Sequence, residues 1–130
     1  MTRVLFLCIG NSCRSQMAEG FARLYGRDVI QAQSAGLAPA MEVAPLTKKI
    51  MLEKNIDLSA SFPKGPDLTP LDGFDLIVNM SGQRLPSGLP LETWNVRDPM
   101  GEREDVYRTV ALEIESLVMR LILRLRKPRS

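Results

Sequence analysis

The chain contains no histidine. That absence removes the cysteine–histidine and serine–histidine couples of nucleophilic catalysis, and every histidine-ligated metal centre. Cysteine is scarce as well: Cys8 and Cys13 are the only two in 130 residues. Two thiolates cannot close a structural zinc site. A disulfide framework has no place in a cytosolic chain long enough to bury its own core. No segment has the long uncharged apolar run of a membrane helix. Net charge is only +2, which argues against nucleic acid and against membrane surfaces as partners. The basic excess gathers in the tail RLILRLRKPRS, where a helix C-terminus favours cations anyway. The first residues carry one arginine and a short apolar run without a small-residue cleavage site, so they read as a buried strand and not a signal peptide. A cytoplasmic location is the resulting expectation.

What is present is ordinary in bulk: 45% hydrophobic and 25% charged residues, enough for one domain over residues 1–130. Arg3–Leu7 is short, apolar and β-prone. From Ser15, a plausible N-cap, Met17, Phe21 and Leu24 recur at helical spacing up to Gly26. Asp28–Gln33 reads as a second strand closed by Ser34–Gly36. A second helix has Pro45 near its start and Val43, Leu46 and Ile50 on one face. Asn55 to about Leu71 is a proline-rich connection with room for one helical turn. Phe74–Asn79 is a third buried strand, and a short fourth is expected near Thr93–Val96. The last helix spans about Glu104 to Arg126, with Val106, Val110, Ile114, Leu117, Leu121 and Leu125 as its stripe. Alternating strands and helices predict an α/β fold: a single three-layer domain, a four-stranded parallel sheet with helices on both faces. Sites in such folds lie at the carboxyl ends of the strands. CIGNSCRS, at the end of the first strand, and RDPMGE, after the fourth, therefore share one edge.

CIGNSCRS lies between a strand's end and a helix's first turn, where backbone N–H groups lack partners and the helix adds a positive partial charge. Gly10 and Asn11 are the residues best able to take left-handed conformations, so Ile9, Gly10, Asn11, Ser12 and Cys13 can curl into an anion-binding nest. Arg14 adds a planar fork for two oxyanion oxygens. Such surroundings favour the thiolate of Cys8 over its thiol. The glycine patterns of dinucleotide and Walker loops are absent.

VLFLCIGNSCRSQMAEGFA resembles the phosphate-binding loop shared by the low-molecular-weight protein tyrosine phosphatases and the thioredoxin-coupled arsenate reductases. Their C-x5-R-S signature is matched by Cys8, Arg14 and Ser15, and the likeness continues in SAG (34–36), KNIDLSA (54–60), FDLIVNM (74–80) and RDP (97–99). The resemblance implies that Cys8 attacks phosphorus, and that Arg14 and the loop amides hold the equatorial oxygens. It implies further that Ser15 hydrogen-bonds Cys8, Asn11 supports the loop, and Asp98 acts as general acid. Asp98 read alone is also an ordinary Asp-Pro turn residue. Cys13 matches the phosphatase cysteine that can trap an oxidised nucleophile as a reversible disulfide; a small buried residue is the other reading. Some of the reductases hold a monovalent cation on residues matching Asn11, Glu19 and Ser34. Glu19 is equally a solvated helix residue, and neither metal nor cofactor is expected.

The chain departs from both branches. The phosphatases place aromatic residues around the cradle and after the Asp-Pro pair, where this chain has Met100 and Gly101. The reductases need two further cysteines after the third strand, but Met80 stands where the first would be and no cysteine follows Cys13. Arsenate reduction would then draw on an external thiol such as glutathione. The leading expectation is a cysteine-dependent phosphatase acting on phosphate monoesters or a phosphoprotein. Arsenate reduction with an external thiol comes second, and a non-catalytic phosphate-binding module third.

Overall fold

A computed structural model describes residues 1–127; the last three residues of the basic tail lie outside the described residues. Four strands, β1 (Thr2–Cys8), β2 (Ile30–Gly36), β3 (Leu76–Asn79) and β4 (Leu91–Thr93), form one sheet in the order β2-β1-β3-β4, and every pair is parallel. Three helices complete the domain: α1 (Arg14–Tyr25), α2 (Pro45–Glu53) and α3 (Glu104–Arg126). No helix among the described residues is long and apolar enough to cross a membrane.

The period-two alternation of β1 divides the core. Val4, Phe6 and Cys8 join Met17 and Phe21 of α1, Ile50 and Met51 of α2, and Ile114 and Val118 of α3 in one large cluster. Leu5 and Leu7 point to the other face, with Ala35 and Ile77. That face is covered by the single 3-10 turn Leu71–Gly73 and by Phe74, Leu37, Leu85 and Leu89. Helical layers on both faces are therefore unequal: three long helices on one side, one short turn and its flanking connections on the other.

Several boundaries shift from the expected ones for physical reasons. β2 runs on to Gly36, because the register pairs Cys8 with Gly36 and so keeps Ser34–Gly36 in the ladder. β4 pairs earlier than expected, at residues 91–93. Trp94 N–H still reaches Asn79 O at 3.0 Å, but β3 ends at Asn79 and Val96 has no strand left to pair with. Trp94 packs in the core beside Phe6. In α1 the apolar face is Met17, Ala18, Phe21 and Ala22, and Leu24 turns to solvent. α3 buries Tyr107, Ala111, Val118 and Ile122 together with Val110, Ile114 and Leu121, while Val106, Leu117 and Leu125 pack at the margin of the cluster.

Candidate active site

β1 ends at Cys8 and α1 starts at Arg14, so residues 9–13 turn the chain from strand to helix. Their carbonyls are held from one side. Leu37 N–H donates to Cys8 O (3.0 Å), Ala38 N–H to Ile9 O (2.8 Å), Ala40 N–H to Gly10 O (2.9 Å) and Ala44 N–H to Ser12 O (3.2 Å). Ser12 Oγ donates to Glu42 O in the same connection. In a trans peptide the N–H points opposite to its C=O, and no cis bond occurs among the described residues. Fixing these carbonyls on residues 37–44 therefore turns the N–H groups of Ile9, Gly10, Asn11 and Cys13 toward the cavity. Asn11 demonstrates the direction, since its N–H donates to Cys8 Sγ at 3.2 Å. Only Asn11 of the loop is left-handed, with φ 51°; Gly10 is not, and a Cβ there would make ordinary contacts of 3.6 Å or more.

Ser15 sits inside the first turn of α1 and is not its cap. Cys13 precedes the helix, with no side-chain capping bond. The Ser15 hydroxyl is committed elsewhere: it accepts from Asn11 Nδ2 at 2.7 Å and lies 2.8 Å from Cys8 Sγ. Arg14 is buried, and its guanidinium donates to Met80 O (2.5 Å), just past β3, and to Val96 O (3.1 Å), in the connection that follows β4. Its other terminal nitrogen is 3.5 Å from Asp98 Oδ2. Asp98 is half exposed, and its second oxygen accepts the Met100 N–H at 3.1 Å. Cys8, Ile9, Gly10, Ser12, Cys13, Arg14, Asp98 and Met100 enclose a cavity of about 160 Å³. Every residue the sequence nominated for catalysis or oxyanion binding thus lies on or beside one cavity, with Asn11 and Ser15 directly behind its sulfur.

Cys13 faces two ways. It lines that cavity, yet its Sγ lies 3.9 Å from the Tyr107 hydroxyl within the core. Burial pushes the Cys13 thiol above its ordinary value and Tyr107 up to about 12, so both stay neutral at neutral pH. Both cysteines are free thiols. Glu19 is buried and not solvated: Ser34 Oγ donates to it, Arg23 pairs with it at 2.6 Å, and Lys64 Nζ stands 3.8 Å away. Two cations of the chain itself therefore already face that carboxylate. Among the described residues no group of three or more Cys, Asp or Glu side chains is placed to hold a metal ion. Sequence reasoning missed Gln16 and Lys64, which contact Asn11 from behind the loop. Their one visible trace was an amide inside the buried stretch of α1.

Relatives and solved structures resemble the chain in sequence and fold. A glutaredoxin arsenate reductase of Synechocystis sp. is 35% identical over 130 residues, covering 94% of this chain and 97% of the relative. A structure described as an arsenate reductase in the phosphate binding state superposes with a TM-score of 0.86 at 33% identity, covering 96% of this chain and 99% of the other. The low molecular weight protein tyrosine phosphatase from T. tengcongensis superposes with a TM-score of 0.82 at 29% identity, covering 96% and 100%. With residues 3–130 also matching the family model, the chain belongs to the low molecular weight phosphotyrosine protein phosphatase family.

Proposed function

We propose that the chain reduces arsenate, with Cys8 as nucleophile and an external thiol as electron source. The observation that carries this reading is the cavity lining: about 160 Å³ of space and no aromatic side chain among the residues enclosing it. Such a space suits a single tetrahedral oxyanion, whereas an aryl phosphate gains from a ring to stack on. The similarity to reductases at 35% and 33% identity supports the same choice, so the reading ranked second from sequence now ranks first.

In this reaction the loop N–H groups and the Arg14 fork hold arsenate over Cys8 Sγ. The thiolate attacks arsenic and Asp98 protonates the departing hydroxyl, which leaves as water. An external thiolate then attacks Cys8 Sγ. A sulfur–sulfur bond forms, the sulfur–arsenic bond breaks with its electron pair going to arsenic, and arsenite leaves. A second thiol, on glutathione or a glutaredoxin, frees Cys8 by disulfide exchange. Two thiols are oxidised for each arsenic reduced by two electrons. An external donor is required because no cysteine follows Cys13. A cytoplasmic setting, rich in glutathione, suits two free thiols.

Phosphate monoester hydrolysis is the second reading, favoured by the same Cys8, Arg14 and Asp98 set and the likeness to the T. tengcongensis phosphatase. The purified protein is expected to produce arsenite from arsenate with glutathione and glutaredoxin, at a higher kcat/KM than it hydrolyses an aryl phosphate. The opposite ranking would assign the site to hydrolysis. Turnover of neither would leave the non-catalytic binding module.

Gly36→Ala tests the cradle itself. A Cβ at Gly36 would lie 2.5 Å from Ile9 O and 2.6 Å from Asn11 N, backbone atoms that cannot yield without moving the loop. Displacement on this scale is expected to lower kcat/KM by roughly 10²-fold. A variant within threefold of the parent would mean that the loop tolerates the shift.

A further inference from the structure

α3 turns one stripe toward the core, and opposite it a second, shorter stripe faces solvent. Leu112, Ser116, Met119 and Leu123 recur at spacings of four, three and four, which keeps them on one side of the helix. Leu112 is 56% exposed and Leu123 57%. Ser116 between them is exposed, and Met119 is partly buried. Single exposed leucines are ordinary on a protein surface. What sets these apart is the charge beside them. Glu104, Asp105, Arg108, Glu115, Arg124 and Arg126 of the same helix each pair with another charged side chain. Glu113 and Arg120, both exposed, are the two charges of α3 that form no ion pair among the described residues. They lie on one flank of the stripe, about 10 Å apart along the axis.

An antiparallel copy of the same helix answers both features at once. Setting Leu112 against the partner's Leu123 also sets Ser116 against the partner's Met119, and a two-fold axis repeats both contacts. The short Ser116 side chain leaves a gap that a flexible thioether fills. In an antiparallel pair the same flanks of the two helices face each other. This register therefore brings Glu113 within about 3 Å, measured along the axis, of the partner's Arg120, and does so twice. The apolar residues and the unpaired charges select one register independently.

We propose that α3 is a self-association surface, on which two copies of this chain pair antiparallel through the Leu112–Leu123 stripe, with Glu113 and Arg120 forming ion pairs across the two-fold axis. A net charge of only +2 leaves the copies little to repel. Four side chains a copy fall well short of the roughly 800 Å² per partner of a stable interface, so the dimer is weak and reversible. None of these residues lines the Cys8 cavity, and the pairing holds whichever oxyanion Cys8 attacks.

Sedimentation equilibrium of the whole chain from about 10 μM to about 1 mM, the range of weak association, is expected to show the mean mass rising from monomer toward dimer. Leu112→Glu puts a carboxylate against the partner's Leu123 and should abolish that rise. Glu113→Lys and Arg120→Glu each set like charges opposite one another at two places. Each should weaken the dimer roughly threefold to tenfold, the scale of exposed ion pairs. An equimolar mixture of these two variants should regain parent-like association, because each copy then meets the opposite charge on the other. All three positions are exposed, so the variants should melt as the parent does. A monomer at every concentration would leave this face to another occupant and overturn the pairing. Association that survives Leu112→Glu would place the interface elsewhere. A mixture no stronger than its two components would rule out the antiparallel register.

Discussion

Cys8→Ser is expected to release no arsenite above background, a loss of roughly 10⁴-fold or more, the scale seen when a nucleophile is deleted. The effect goes beyond weaker nucleophilicity. Sulfur is both the attacking atom and the atom from which arsenic takes its electron pair, and a serine oxygen cannot end the cycle as a disulfide. The cradle should survive the change, because its carbonyls are held by residues 37–44 and a serine oxygen can still accept the Asn11 N–H that the sulfur accepts. Phosphate binding, measured by calorimetry, should therefore persist while arsenite formation and aryl phosphate hydrolysis both vanish. Residual turnover of either substrate by Cys8→Ser would remove Cys8 from the centre of the chemistry.

Arg14→Lys should have the second largest effect. The guanidinium has more to satisfy than the substrate: one terminal nitrogen donates to both Met80 O and Val96 O, and the other faces Asp98 and the cavity. A compact ammonium on a flexible stem cannot span those carbonyls and still present two parallel donors to an oxyanion. The expected loss in kcat is about 10²–10³-fold, as for removal of one transition-state donor. Leaving a buried carbonyl without a donor should cost about 1–3 kcal/mol of stability as well. Steady-state kinetics together with a thermal melt would measure both. A lysine variant with parent-like kcat would show that charge alone suffices.

The chemistry was legible in the sequence where it is local in the chain. Cys8, Arg14 and Ser15 lie within eight positions between a strand and a helix, and spacing alone brings them together. α3 was equally plain, since a long amphipathic period fixes its ends at Glu104 and Arg126. β4 was harder to place: three residues at a sheet edge carry too little alternation to set a register. Ser15 looked like a cap because serines usually are, yet its hydroxyl had a better partner in Cys8. Lys64 stayed invisible because its contact with Asn11 spans 53 residues; Gln16 lies only five residues from Asn11, but the bond between their side chains depends on how the loop turns. The support given by residues 37–44 was hidden for the same reason: it is made by backbone groups, which any sequence supplies. The proposed choice of reductase over phosphatase rests on what lines the cavity, of which the sequence showed only a part, Met100 in place of an aromatic residue.

The bracing of the loop carbonyls by residues 37–44 has a consequence for selectivity. A cradle assembled in advance holds its donors at fixed points and cannot close more tightly around one tetrahedral dianion than another. Phosphate and arsenate share charge and shape, so this rigid seat admits both on nearly equal terms. In the proposed reduction, discrimination is thereby deferred until after binding, to the moment when the central atom must accept two electrons. Arsenic can do so and phosphorus cannot. In a medium crowded with phosphate the seat is mostly taken by an anion it cannot reduce, and the ratio of the two oxyanions outside sets how often it turns over.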